Sequence, residues 1–222
     1  MAKKKKRKLK KKKLFLFFCF VTVILLCLAF MMDVRINNVI VKGNILYEDY
    51  DIIKKAHLDD YPSSLRNSSF KIKRSLEKDY YIKKANVYKT SLTKVVIDVE
   101  ENLPLFYYLP TKKTILMDRS ETNDAFPVPT IINYVPDKIY ELLLDKIVGV
   151  NYDILKRISE IKYDPNDVDN ERFLFYMNDG NMVYVTLSKI NKVNSYPSIT
   201  KTIENKKGVL YLDYGNYFVP IE

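Results

Sequence analysis

The residues that could support catalysis are few and poorly placed for it. His57 is the only histidine in 222 residues, and both cysteines, Cys19 and Cys27, lie in one apolar stretch near the N terminus. The rest of the chain therefore has no thiol for a Cys–His pair, a disulfide or a thiolate metal site, and no serine stands in a nucleophile motif. We expect His57 to lie at a packed or solvent-exposed helix end.

The acidic residues form two arrangements that need to be weighed as sites. Glu100 and Glu101 are adjacent, but neighbouring strand residues point to opposite faces, so they cannot form an acid–base pair. The run from Asp164 to Glu171 resembles a calcium loop. However, Val168 and Asp169 occupy the positions where an EF-hand needs an oxygen ligand and a glycine, so a solvated turn is expected.

Glycine-based phosphate binding is also excluded, since the five glycines are scattered along the chain. The sequence thus predicts no catalytic residues, no metal ion and no cofactor.

A basic tail followed by an apolar segment is the strongest signal in the chain. Ten of residues 3–13 are Lys or Arg, and residues 14–32 carry no charge. A helix of that length rises about 28 Å, close to the ~30 Å hydrocarbon core of a bilayer. Because cationic flanks remain cytoplasmic, we predict a cytoplasmic tail at 1–13, a transmembrane helix at 14–32 and an exported remainder. The tail would also attract anionic lipid headgroups.

Two alternatives for the N terminus are disfavoured. The apolar run exceeds the about 7–15 residues of a signal-peptide core, and residues 28–32 are too bulky for a cleavage site. The net charge of +10 would suggest nucleic-acid binding, but residues 14–222 contain 27 basic and 27 acidic side chains. We therefore expect an uncleaved anchor and no nucleic-acid partner.

Residues 33–103 have the pattern of an α+β domain in the order β-α-α-β-β. Alternating apolar residues predict strands, and 3.6-residue spacing predicts helices, with Val41 and Ile97 in the core. On the first helix Tyr50, Ile53 and His57 share one face. The five segments are 35–42, 47–56, 70–79, 85–89 and 94–100.

Residues 104–222 have the pattern of a second, mainly antiparallel β domain with flanking helices. The residues from Asn178 to Asn181 give the clearest hairpin signal, between strands at 173–177 and 182–187. A helix is predicted from Asn151 to Ile161, because four isoleucine and leucine residues share one face there. A closing strand pair is predicted at 209–213 and 217–221.

Both modules resemble the FtsQ/DivIB family, the first through its POTRA (polypeptide-transport-associated) domain. The positions that carry the POTRA resemblance are Ile36, Val39, Val41, Gly43, Asn44, Phe70, Ile72, Ile82, Ala85, Val87, Leu92, Val95, Ile97, Val99, Glu101 and Pro104. Those that resemble the family's β domain are Leu116, Asp118, Pro127, Pro129, Asp179, Gly180, Gly208, Leu210, Leu212, Asp213 and Gly215.

The resemblance implies an α+β protein with one N-terminal transmembrane helix, a POTRA domain at 33–103 and an FtsQ/DivIB-type β domain at 104–222. It implies a non-catalytic bitopic scaffold that links division-site assembly to septal peptidoglycan synthesis and is concentrated at the septum. A POTRA-containing, membrane-anchored export or assembly factor is the alternative, disfavoured because no barrel-length series of strands follows. A membrane-tethered cell-wall enzyme would need a polar cleft that the sequence does not indicate.

The last strand pair is the candidate partner-binding site. The resemblance implies binding of bitopic division proteins of the FtsB/DivIC and FtsL type near the final strand. Exposed sheet edges accept partner strands, and aromatic residues are enriched at interfaces. Since strand residues alternate faces, half of these aromatics could instead belong to the core. The candidate residues are Tyr211, Tyr214, Tyr217, Phe218 and Val219.

Overall fold

The computed structural model describes residues 11–204 and 206–221, and the chain divides into two compact units between Glu101 and Asn102. Residues 1–10, which form most of the predicted tail, lie outside the described residues. The α+β class predicted from the sequence is confirmed.

One long apolar helix opens the first unit. Helix α1 spans Lys11–Asp33, so it starts three residues before the predicted span. In the described part of the chain it is the only helix long and apolar enough to cross a membrane. None of its apolar side chains in the range 14–30 is buried, and exposed ones lie on every face, as at Phe15 (68%) and Phe30 (77%). A helix that is apolar on every face is typical of a membrane span.

The rest of the first unit has the predicted β-α-α-β-β order. Its three strands form a sheet in the order β1-β3-β2, with β1 parallel and β2 antiparallel to β3. Ile52 and Ile72 from the two helices pack with Ile97 of the central strand in one core. The elements are β1 Asn38–Lys42, α2 Asp49–Lys55, α3 Ser69–Leu76, β2 Ile82–Lys89 and β3 Lys94–Glu101.

The face of α2 shared by Tyr50, Ile53 and His57 is not the face that packs most closely on the core. Tyr50 is 61% exposed, whereas Ile52 and Ala56 are buried. The capping box between Glu48 and Asp51 fixes the start of the helix. The helix ends at Lys55, and His57 lies beyond it, exposed and with a φ of +55°. With two isoleucines adjacent in the sequence, spacing alone did not indicate which one faces the core.

Truncation of Ile97 tests the register of this sheet. Ile97 is fully buried opposite Val41, which is only partly buried. We expect Ile97→Ala to lower the free energy of unfolding by about 3 kcal/mol, and Val41→Ala by less, because lost methyl groups leave a cavity. Urea unfolding of the full chain in detergent, with exposed Ile45→Ala as the control, measures this. An Ile97→Ala midpoint equal to that of the control would mean that the strand is misplaced.

A nine-stranded mixed sheet forms the second unit. Its strand order is β12-β11-β10-β9-β8-β7-β4-β5-β6, and most neighbouring pairs are antiparallel. The helices supply Leu143, Ile190 and Tyr196 to a core that they share with Phe173 and Phe175 of the sheet. The elements are β4 Pro104–Tyr108, β5 Lys113–Leu116, β6 Glu121–Thr122, β7 Thr130–Ile131, α4 Asp137–Ile147, α5 Tyr152–Leu155, β8 Ile158–Tyr163, β9 Arg172–Met177, β10 Met182–Thr186, a 3-10 helix Leu187–Ser195, α6 Tyr196–Thr202, β11 Gly208–Tyr211 and β12 Tyr217–Pro220.

The helix predicted from Asn151 to Ile161 was wrong beyond its first turn. Only α5 is helical, and the segment continues as strand β8. A bulge between Ile158 and Glu160 adds one residue to the strand. Ile158 and Ile161 therefore both face the core, although they are three residues apart. This spacing imitates one turn of a helix.

Candidate partner-binding site

Strand β12 lies at one end of the sheet. It pairs with β11 alone in an antiparallel register that places Tyr217 opposite Tyr211 and Val219 opposite Val209. In the ranges 102–204 and 206–221 no further strand borders it. The strand therefore presents one row of backbone groups to its surroundings.

The direction of these backbone groups follows from one hydrogen bond. The Ile221 N–H donates to the Lys207 carbonyl oxygen, 3.0 Å away. Because bonded and non-bonded residues alternate along an antiparallel pair, Val219 also faces β11, whereas Phe218 and Pro220 face outward. Pro220 has no N–H. The edge thus offers the Phe218 N–H and the carbonyls of Phe218 and Pro220, which restricts the registers available to an added strand.

The side chains of β12 divide between the two faces of the sheet. Phe218 packs against the core. Tyr217 (50% exposed) and Val219 (46%) lie on the opposite face. Tyr214 stands in the turn between β11 and β12 and is 81% exposed.

Three stacked tyrosines border the edge on the face of the sheet that carries Tyr217 and Val219. This face, opposite the one that Phe218 occupies, is called the open face below. The ring centroids of Tyr184 and Tyr211 are 5.2 Å apart, and those of Tyr211 and Tyr217 are 4.6 Å apart with an interplanar angle of 11°. The Arg172 guanidinium lies 3.6 Å from the Tyr184 centroid, and its Nε donates to Asp213 at 2.8 Å. These contacts fix the positions of the three rings relative to one another.

The charge of Arg172 is secured by its neighbours. Burial acts to lower the pKa of its guanidinium, but the hydrogen bond to Asp213 and the charge of Asp164 raise that pKa above its usual value. The Arg172 Nη1 lies 3.2 Å from an oxygen of Asp164. The Arg172 guanidinium at the end of the tyrosine stack is thus positioned by two carboxylates, those of Asp164 and Asp213.

A buried polar network fixes the start of β11. The Gly208 N–H donates to Asn181 Oδ1 at 2.8 Å, and Asn181 Nδ2 donates to the Tyr196 hydroxyl at 2.9 Å. That hydroxyl donates to Asp179 Oδ2 at 2.7 Å. Burial acts to raise the pKa of Asp179, but the Asn181 N–H and the Tyr196 hydroxyl hold it below its usual value. The hairpin turn therefore positions β11, and through it β12.

The five candidate residues do not form one surface. Tyr211, Tyr217 and Val219 share the open face, Phe218 belongs to the core face, and Tyr214 lies apart in the turn. Sequence reasoning missed Tyr184 and Arg172. Tyr184 reaches the tyrosine stack because β10 pairs in parallel with β11, although two helices separate these strands in the sequence.

The described residues 11–204 and 206–221 contain no group of three or more His, Cys, Asp or Glu side chains that could hold a metal ion. In the acidic turn, Asn166 Oδ1 accepts the N–H groups of Val168 and Asp169, and the Asp169 carboxylate accepts the Glu171 N–H. These side-chain oxygens therefore already accept backbone hydrogen bonds within the turn.

Proline at position 219 tests the assigned strand direction. Because the Val219 N–H faces β11, Val219→Pro should break the β11–β12 pairing. Pro220→Ala changes an outward position and should leave the pairing intact. Hydrogen exchange at the Tyr217 and Ile221 amides, which also face β11, measures both variants. Protection that persists at both amides in Val219→Pro would contradict the assigned direction of the Val219 N–H.

Comparison with protein families gives a match to the FtsQ-type POTRA domain over residues 34–102. The cell division protein DivIB of Bacillus anthracis is 30% identical over 194 residues, covering 82% of this chain and 72% of that protein. The corresponding Bacillus cereus protein is 31% identical, with 82% and 75% covered. The solved major extracytoplasmic domain of DivIB from Geobacillus stearothermophilus matches with a TM-score of 0.38 and 19% identity, covering 48% of this chain and 97% of that domain.

Proposed function

Since the chain belongs to the DivIB family of cell division proteins, we propose that it is a non-catalytic, bitopic scaffold of the bacterial division machinery. It links assembly at the division site to septal peptidoglycan synthesis through protein–protein contacts. The relationship to DivIB supports the role in division.

The open edge of β12 is the observation that carries the scaffold role. Its outward backbone groups lie beside the ordered stack of Tyr184, Tyr211 and Tyr217. A partner strand that pairs with Phe218 can place its own side chains against Tyr217 and Val219. Backbone pairing then supplies affinity, and the aromatic face supplies specificity. The proposed partners are extracytoplasmic segments of FtsB/DivIC-type and FtsL-type proteins.

Helix α1 is proposed to cross the cell membrane with the N terminus in the cytoplasm and both folded units outside. Its apolar surface supports the span, and the cations of residues 3–13 support the orientation. The same cations are proposed to bind anionic headgroups of the inner leaflet.

Protease treatment of spheroplasts tests this orientation. Protease added outside should remove the chain after about Asp33 and spare the tail and span. Replacing several of the cations from Lys3 to Lys13 with glutamate should reduce correct insertion. Protection of the folded units together with cleavage of the tail would contradict the orientation.

Localisation of an N-terminal fluorescent fusion tests the division role. We expect bands at midcell that coincide with constricting septa. The matched control is the fusion carrying residues 1–33 alone, which should label the whole membrane. A uniform membrane signal from the full chain would contradict septal recruitment and favour the membrane-anchored export or assembly factor.

A further inference from the structure

Within the first unit, the β-α-α-β-β part is attached to α1 by a very short connection. Only Val34 and Arg35 separate the end of α1 at Asp33 from Ile36, which is fully buried in the core. Three extended residues reach about 11 Å at most. A folded unit tied this closely to a membrane span must lie against the bilayer surface.

Hydrogen bonds determine which part of the unit lies at this connection. The Ser64 N–H donates to the Val34 carbonyl at 2.8 Å, and the Ile36 N–H donates to the Pro62 carbonyl at 2.9 Å. The N–H groups of Asn37 and Asn38 donate to the Thr93 carbonyl. The loop at 61–67 and the turn at 90–93 are therefore fixed beside the residues that leave the span.

This end of the unit exposes large apolar side chains. Tyr61 is 59% exposed, Leu65 48% and Leu92 51%. Phe70, in the first turn of α3, is 71% exposed, and Asn67 just before that helix donates to the Ser63 carbonyl at 3.0 Å. These four side chains, Tyr61, Leu65, Phe70 and Leu92, are called the membrane-proximal surface below.

Cations accompany the membrane-proximal surface. Arg35 and Arg66 are exposed within the same loop and connection. Asp59 and Asp60, just before Tyr61, line a cleft with Lys54 and Lys55 of α2. The combination of tyrosine, aliphatic side chains and arginine suits the headgroup region of a bilayer, where aromatic rings and snorkelling cations are favoured.

We propose that the membrane-proximal surface is a second membrane contact, inserted at the headgroup–acyl boundary of the outer leaflet, with Arg35 and Arg66 against lipid phosphates. This inference rests on the proposed orientation of α1. Together, the span and the surface would hold the unit at a defined tilt, because rotation about the connection would withdraw Leu65 and Leu92 from the lipid.

Depth-dependent quenching in vesicles tests this contact on the full chain. Cys19→Ser and Cys27→Ser remove the native thiols, and Leu65→Cys or Leu92→Cys introduces one site for an environment-sensitive fluorophore. The vesicles contain phosphatidylglycerol, phosphatidylethanolamine and a lipid with a nitroxide just below its headgroup. Labels at 65 and 92 should show blue-shifted emission and lose intensity to the nitroxide.

Two control positions make the result decisive. Ile45→Cys is a matched exposed site at the far end of β1, about 17 Å away for five strand residues, where the Ile45 N–H donates to Glu101. Its label should remain aqueous. Phe20→Cys labels the span itself. If the label at position 20 is quenched but the labels at 65 and 92 behave like the aqueous label at 45, the span stands and the second membrane contact is overturned. If the label at position 20 is also aqueous, the span is overturned as well.

A charge in the surface gives an independent check. With the label at Leu92→Cys, adding Leu65→Asp should reduce quenching while the circular dichroism spectrum stays unchanged, because a carboxylate is disfavoured in lipid. Unchanged quenching would show that the two residues do not insert together, contrary to the proposal.

Discussion

Glu101→Ala is expected to lower the free energy of unfolding of the first unit by about 4 kcal/mol. Glu101 is only 6% exposed at the end of β3. One carboxylate oxygen accepts the N–H groups of Ile45 and Leu46, both at 2.6 Å, and the other accepts the Tyr47 N–H at 3.1 Å. Alanine would leave all three donors without this partner, and the connection from β1 to α2 would lose its fixed path.

The neighbouring glutamate is the matched control. Glu100 is exposed and pairs with Lys83 at 2.7 Å, so Glu100→Ala should change stability little. Glu101→Gln keeps one acceptor oxygen and should fall between the parent and Glu101→Ala. Urea unfolding of the full chain in detergent measures the series. Equal midpoints for the two alanine variants would show that the Glu101 carboxylate does not hold the loop.

Gly208→Ala is expected to lower the affinity for a strand-adding partner at least about 100-fold, about 2.7 kcal/mol. A Cβ at this position would overlap the Val219 carbonyl oxygen and lie 2.6 Å from the tip of the Phe218 ring and 2.8 Å from Pro220 Cα. Strand β12 has four residues and one side chain packed on the core. It would therefore separate from β11 before the core rearranges.

Val209→Ala, one residue further along β11, is the control. Its side chain is half-buried on the open face. The change to alanine removes atoms without adding any, so it creates no clash with β12. Hydrogen exchange should show lost protection at the Val219 amide in Gly208→Ala but not in Val209→Ala. The Phe173 amide in β9 should stay protected in both. Retained protection at Val219 in Gly208→Ala would contradict the close approach of the two strands.

The parts of the fold that were predicted correctly depend on local chemistry. The turn from Asn178 to Asn181 carries its own signal, with a φ of +88° at Gly180 that glycine adopts readily. The strand around Ile97 follows from the alternate positions of Val95, Ile97 and Val99. Helix α4 went unpredicted although Ile139 and Leu143 have helical spacing and are buried, so its signal was present in the sequence.

Less of the candidate site could be predicted from the sequence. Alternation predicts that Tyr217 and Phe218 face opposite sides, but only the pairing of Phe218 with buried Leu210 shows which of them faces the core. The stack through Tyr184 depends on a parallel pairing between distant segments, and local propensity does not encode such pairings.

Binding of an FtsB/DivIC-type extracytoplasmic segment to the full chain in detergent, measured by calorimetry, tests the scaffold role most directly. We predict that the parent binds and that Tyr217→Ala costs about 2 kcal/mol, roughly 30-fold in affinity, as for an interface anchor. Phe218→Ala should act through the fold instead, with a changed circular dichroism spectrum. If every folded variant between Tyr211 and Ile221 binds like the parent, β12 is not the partner site, and the POTRA unit becomes the surface to examine.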